Sequence, residues 1–252
     1  MRLGGIVDIS TVDWYGNVSL VVFLAGCNLR CPYCQNSTLL PLDSGEEIDL
    51  GYIRRRMEIN LSPVPQLDAV VITGGEPTLQ PEAVKEVAVL ARSLGLRVML
   101  DTNGSLPDAV DALLRAGVID RVALDVKAPL NPDEYRNVAG LQEDAFDVAE
   151  GVRRTLGLCG KYAVEVEVRT TVAPTLSDSE EFIGSIARSI GGRCDVYYLQ
   201  QFDNTGEVLS PELKALKPPT RERLVELAGV AVSEGVENVC IKTRKHGLER
   251  MG

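Results

Sequence analysis

Cys27, Cys31 and Cys34 stand close together in the run AGCNLRCPYCQNS at 25–37, in a chain with only six cysteines in all. Three thiols separated by three and then two residues suit a loop that wraps one face of an iron–sulfur cube, each thiolate holding a different iron. With no fourth cysteine nearby, one iron is left without a protein ligand, and an open metal corner is where a substrate or cosubstrate binds. Chance is a poor rival: six cysteines scattered over 252 positions give this spacing roughly 0.003 times per random sequence. The metal alternative is a three-cysteine zinc site completed by a distant residue, but the only histidine, His246, lies far along the chain. Cys159, Cys194 and Cys240 are widely spaced and read as small apolar side chains.

Other stretches carry groups that a charged ligand would need. In TGGEPT at 73–78, Gly74 and Gly75 allow backbone carbonyls to come close to an ammonium, Glu76 adds negative charge and Pro77 stiffens the turn. Asp125 and Lys127, two apart on a strand, point the same way and enter one cavity as a charge pair. DTNG at 101–104 supplies Asp101, Thr102 and Asn103; Arg169 either grips a carboxylate or is neutralised by Glu167; Gln200 and Gln201 end a further apolar run.

These stretches need strands to hold them. Apolar or β-branched runs occur at 18–24, 67–73, 97–101, 121–126, 163–172, 196–201 and 238–242. Helical patterns lie between most of them, at 81–94, 107–116, 144–156, 178–190 and 220–234. Strands alternating with helices imply βαβ units, and runs as apolar as DAVVIT imply a parallel sheet covered on both faces. About six units are too few for a closed eight-fold barrel. The expected fold is therefore α/β, a partial (β/α)6 barrel in a single domain spanning 1–252, with an N-terminal strand extension over 1–17 and a basic C-terminal tail over 242–252. In such folds ligands gather at the carboxyl ends of the strands, and there the cysteine loop and the polar stretches fall one after another.

Composition narrows the class. The 252 residues, 45% apolar and 25% charged, are ordinary for a soluble globular protein, and 36 acidic against 26 basic residues give a net charge of −10 that argues against a generally nucleic-acid-binding surface. The apolar run at 20–26 is far shorter than the roughly 20 residues of a membrane span. The expectation is a cytoplasmic protein with no membrane partner, in a reducing compartment where a tight cysteine cluster binds metal.

CNLRCPYC together with TGGEPTLQ, DTNG and LDVK closely resembles the radical S-adenosylmethionine enzymes, and among them the activating enzymes of glycyl-radical proteins, of the pyruvate formate-lyase and anaerobic ribonucleotide reductase kind. The likeness is strong over residues 20 to about 130 and continues beyond as a fold pattern. It implies a 4Fe-4S cluster on Cys27, Cys31 and Cys34, whose open iron binds the amino and carboxylate groups of S-adenosylmethionine. Reductive cleavage of that cosubstrate gives a 5′-deoxyadenosyl radical, which takes a hydrogen atom from the substrate, here a glycine of a partner protein. The resemblance sets Tyr33 beside the adenine and Gly74, Gly75, Glu76 and Pro77 at the amino group. Asp101, Thr102, Asn103, Asp125, Lys127, Arg169 and Gln200 line the remainder of the cofactor site. It also accommodates a monovalent cation near Asp101 and Asp125, and implies a low-potential electron donor of flavodoxin or ferredoxin type.

Two features bear on the substrate. The residue after the third cysteine is usually histidine in these relatives and is Gln35 here, followed by the expected Asn36. Basic runs, RRR at 54–56 and KTRKHGLER at 242–250, offer an alternative in which the same radical modifies an RNA nucleoside or a purine-like molecule; solvated helix faces or chain ends are the plainer account of them. RNA is thus a second, less favoured partner, and His246 is assigned no catalytic role.

Overall fold

The computed structural model describes residues 1–141 and 147–251. Its centre is one sheet of ten strands. β1 (Arg2–Ser10), β2 (Ser19–Leu24) and β3 (Glu46–Glu47) precede α1 (Leu50–Leu61); β4 (Ala69–Gly74), α2 (Pro81–Ser93), β5 (Arg97–Thr102), α3 (Pro107–Arg115) and β6 (Arg121–Asp125) follow. α4 (Pro132–Ala139) and α5 (Val148–Tyr162) lead to β7 (Glu165–Val172), α6 (Glu180–Ile190) and β8 (Val196–Gln201). The chain then runs through α7 (Pro211–Lys214) and α8 (Arg221–Ser233) to β9 (Val239–Thr243) and β10 (Gly247–Arg250). The strand order is β10-β9-β8-β7-β6-β5-β4-β2-β1-β3. From β2 to β9 every pairing is parallel, while β1, β3 and β10 add antiparallel edges. Six helical crossovers join seven parallel strands, the partial (β/α)6 barrel expected from the alternation.

Register explains why the central strands are apolar throughout. Leu20, Val22, Val70, Ile72, Val98, Leu100, Val122 and Leu124 point outward and are buried with the helix faces. Their neighbours Val21, Ala69, Val71, Met99 and Ala123 point inward and form a second core with Trp14. Trp14 comes from the segment between β1 and β2 and is 1% exposed. The Arg97 guanidinium lies 4.4 Å from its ring centroid. Arg97 opens β5, so this segment forms a floor at the amino ends of the strands and leaves the carboxyl ends as the open side.

Some elements differ from expectation. The helix expected at 144–156 begins, where described, at Val148 with Asp147 as its cap and runs on to Tyr162; residues 144–146 lie outside the described residues. α1 escaped the sequence because only Ile53 and Met57 are buried, and three consecutive arginines hide that short stripe. The RRR run is thus on this helix, with Arg54 paired to Glu58 and Arg56 to Asp8. The basic segment at 242–250 is the end of β9, a turn and β10, an antiparallel hairpin that closes the far side of the sheet. Among the described residues no helix is long and apolar enough to cross a membrane.

Candidate active site at the carboxyl ends of the strands

A cavity of about 290 Å³ opens at the carboxyl ends of the parallel strands. It is lined by Cys27, Cys31, Tyr33 and Cys34 after β2, Gly74, Gly75 and Glu76 after β4, and Asp101, Thr102 and Asn103 at β5. Asp125 and Lys127 from β6, Arg169 from β7 and Gln200 from β8 complete it. Of the residues the resemblance sets around the cofactor, Pro77 alone lies off the wall, buried in the short 3-10 turn at 77–79.

The cysteine loop is clamped from several sides. Gly26 N–H donates to the Leu39 carbonyl at 2.7 Å and Cys27 N–H to that of Leu40 at 3.1 Å; Arg30 N–H donates to Ala139 O at 2.9 Å, and the carbonyls of Pro32 and Cys34 accept from Ser210 and Leu209. Gln35 donates its Nε2 to the Asp203 carbonyl at 2.8 Å, tying the loop to the segment after β8. Asn28 Nδ2 donates to Ser105 Oγ at 2.8 Å and its Oδ1 accepts from Asn103 Nδ2 at 3.0 Å, a link between the cysteine loop and β5 that no local motif signalled. Thr73, the first residue of the TGGEPT stretch, also lines the cavity, as do Phe202 and Asp203, which were missed because the run ending at Gln201 was cut two residues short.

Burial pushes the Cys27 thiol up to about 11 and the Cys31 thiol up to about 12, so a bound metal must displace their protons. Among the described residues no three His, Cys, Asp or Glu side chains converge as a mononuclear ion requires. Three thiols spread around one loop instead fit a polynuclear cluster, in which each thiolate takes its own iron.

The two glycines have a reason the sequence could not give. Gly74 has φ +137°, and a Cβ there would lie 2.0 Å from the Leu24 carbonyl oxygen; one on Gly75 would lie 2.2 Å from that of Gly26. Their backbones pack against the root of the cysteine loop, where Glu76 N–H donates to Gly26 O at 2.8 Å. Glu76 faces inward to the protein: it is 0% exposed and accepts from Thr78 N–H, Thr78 Oγ, Thr102 Oγ at 2.8 Å and Asn103 N–H at 2.6 Å. Burial raises its pKa, and those donors pull it back.

Charge alternates across the inner face. Arg169 donates Nε to Glu167 at 2.5 Å, Nη1 to Asp101 Oδ2 at 2.9 Å and Nη2 to the Asp13 carbonyl at 3.3 Å, so the neutralisation by Glu167 weighed above does occur and Asp101 shares it. Asp101 Oδ1, in contrast, is buried with no hydrogen-bond partner among the described residues. An orphan carboxylate oxygen on the cavity wall is an acceptor awaiting a donor. Burial raises Asp101 to about 6 against the pull of Arg169. Lys127 Nζ lies 2.8 Å from Asp125 Oδ2; burial, the largest single influence, would lower its pKa, but Asp125 together with Tyr33 and Cys31 more than offsets it and holds the ammonium charged.

Comparison with known proteins agrees with this geometry. The Radical SAM superfamily matches residues 21–185. A Methanocaldococcus jannaschii protein named "Putative glycyl-radical enzyme activating enzyme" is 37% identical over 96% of this chain and 95% of its own. The pyruvate formate-lyase-activating enzyme of Clostridium pasteurianum is 30% identical over 75% of this chain and 76% of its own. In fold, a radical SAM methyltransferase from Sphaerobacter thermophilus superposes with a TM-score of 0.70 at 17% identity, covering 91% of this chain and 67% of that one. With three thiols on one loop, a charged cavity at the strand ends and a family match across most of its length, the chain belongs to the radical S-adenosylmethionine superfamily of enzymes.

Proposed function

We propose that this enzyme abstracts a hydrogen atom from a glycine of a partner glycyl-radical protein. Cys27, Cys31 and Cys34 would hold the 4Fe-4S cluster, and S-adenosylmethionine would fill the cavity beside it. When bound and reduced by a low-potential donor of flavodoxin or ferredoxin type, the cluster supplies the electron that cleaves the cosubstrate to methionine and a 5′-deoxyadenosyl radical. The chain's own residues bind and orient. Lys127 offers its ammonium to the methionyl carboxylate, and Asp101 Oδ1 accepts from the amino group or faces a monovalent cation shared with Asp125. Arg169 holds Asp101 in place, Tyr33 gives the adenine a flat wall, and Thr102, Asn103 and Gln200 complete the enclosure.

The observation that carries the reading is the orphan Asp101 oxygen in the same cavity as the three thiols and Lys127. The choice of a glycine-bearing partner is supported by the M. jannaschii relative, whose likeness extends over 96% of this chain. The test is anaerobic reconstitution, reduction and chromatography for 5′-deoxyadenosine, then electron paramagnetic resonance on candidate partners. A glycine-centred radical that appears only with S-adenosylmethionine is the expected result; 5′-deoxyadenosine without any such radical would turn the assignment to another hydrogen donor.

A pH dependence follows. Asp101 is faced by Arg169 and Glu167 from β7, Asp125 from β6 and Lys242 from β9. Its folded pKa of about 6 lies above its ordinary value, so its contribution to stability is complete below the ordinary carboxylate range and lost as pH rises through 6. Ligand binding has the opposite sign, since the carboxylate attracts an ammonium far more strongly than the neutral acid does. Cosubstrate affinity of the cluster-loaded enzyme is expected to fall by up to about tenfold per unit below pH 6. Asp101→Asn should flatten that slope in titration calorimetry; an unchanged slope would remove Asp101 from the amino site.

A further inference from the structure

A second cavity, of about 510 Å³, adjoins the first and shares Gln201, Phe202 and Asp203 with it. Its outer walls are the segment before α8 and the β9–β10 turn. Four basic side chains, Lys217, Arg221, Arg244 and Lys245, line it against two acidic ones, Asp203 and Glu222. Arg221 is spent on Glu249, with Nε at 2.9 Å from Oε2, and Arg244 lies 3.7 Å from Asp203. Among the described residues Lys217 and Lys245 have no carboxylate within ion-pair reach. A basic hollow is unexpected on a chain of net charge −10, and it borders the first cavity across Gln201, Phe202 and Asp203.

The shared wall joins the two spaces. Gln201 Nε2 donates to Pro219 O at 2.7 Å, and its Oε1 accepts from Arg244 N–H at 3.0 Å, so one side chain braces both outer walls against the end of β8. Anything seated in the second cavity is therefore held at a fixed offset from the first.

We infer that the second cavity docks an acidic side chain of the partner protein, flanking the glycine it presents; this rests on the glycyl-radical reading above. Charge decides for a protein segment over RNA. Two free lysines concentrated in one hollow match one or two carboxylates, whereas a polyanion would bring a long row of phosphates within a Debye length of an acidic surface. The apolar part of the wall, Phe202 with Pro218 and Pro219, suits the stem of a glutamate and offers nothing to a phosphodiester.

The probe is a pair of short fluorescein-labelled peptides, each centred on glycine, one flanked by glutamates and the other by glutamines. Binding to the cluster-loaded enzyme with S-adenosylmethionine is measured by fluorescence anisotropy at low ionic strength. The acidic peptide is expected to bind about fivefold tighter or more, a preference lost in Lys217→Gln/Lys245→Gln and kept in Lys217→Arg/Lys245→Arg. Both lysines are exposed, so the fold tolerates either exchange. Equal binding of the two peptides by the wild type, or a preference that survives neutralisation, overturns the proposal. So does a labelled RNA stem-loop that is bound by the wild type and lost in the glutamine variant while the peptides go undiscriminated. The glycyl-radical reading fails separately, as absence of a glycine-centred radical in an enzyme that still discriminates the peptides.

Discussion

Replacing Cys27, Cys31 or Cys34 with alanine is expected to take iron from about four atoms per chain after reconstitution to below one, and 5′-deoxyadenosine formation to background. Each thiolate would hold a separate iron, so no neighbour can substitute for a missing one. The other three cysteines sit in different surroundings. Cys159 is 0% exposed on the core face of α5, and burial holds its thiol high. Cys194 packs against that core from the turn before β8, and Cys240 lies on the inner face of β9. Cys159→Ala, Cys194→Ala and Cys240→Ala should each keep a full cluster and cost about 1 kcal/mol of stability at most. Iron and sulfide analysis of the six variants, with the visible absorption of the cluster, makes the comparison. Loss of the cluster in any of the second three would mean that the ligand set is incomplete; retention in any of the first three would remove that cysteine from it.

Much of this was legible because the parallel-sheet periodicity and the strand-end rule act together. Seven apolar runs named the seven parallel strands, and reading off the residues at the ends of the first six gave a list whose members, Pro77 apart, meet in one cavity. What stayed hidden was tertiary. Gly74 and Gly75 look like glycines that make room for a ligand, but the nearest obstruction to a side chain is the backbone at Leu24 and Gly26. Glu76 looks like a charge offered to a ligand, and its oxygens are already taken by Thr78, Thr102 and Asn103. Trp14 carried no signal at all, since a lone aromatic between two strands does not say which end of the barrel it will close. The second cavity, with its basic lining, is likewise built from three separate segments, 201–204, 217–222 and 243–246, of which only the last was basic enough to notice.

Glu76 gives the second large effect, and it tests whether the site is held together from below. Its carboxylate joins three pieces: the turn after β4 through Thr78, the end of β5 through Thr102, and the β5 loop through the Asn103 N–H. Asn103 in turn reaches Asn28 in the cysteine loop. Glu76→Ala leaves the buried N–H groups of Thr78 and Asn103 unpaired, at about 1–3 kcal/mol each, and opens a void beside them. A loss of about 3–5 kcal/mol is expected, or roughly 10 °C in melting temperature for a chain of this size. Glu76→Gln should be milder, about 1–2 kcal/mol, because its carbonyl still accepts from the two threonines and no charge is buried, although its amide cannot accept from Asn103. Urea unfolding of the cluster-free protein measures this without interference from metal binding. In cluster-loaded protein, both variants should weaken S-adenosylmethionine binding in the same order, alanine more than glutamine, since Asn103 loses its anchor. If Glu76→Ala unfolds like the wild type yet no longer binds the cosubstrate, the carboxylate acts on the ligand directly and the bracing role assigned to it is wrong.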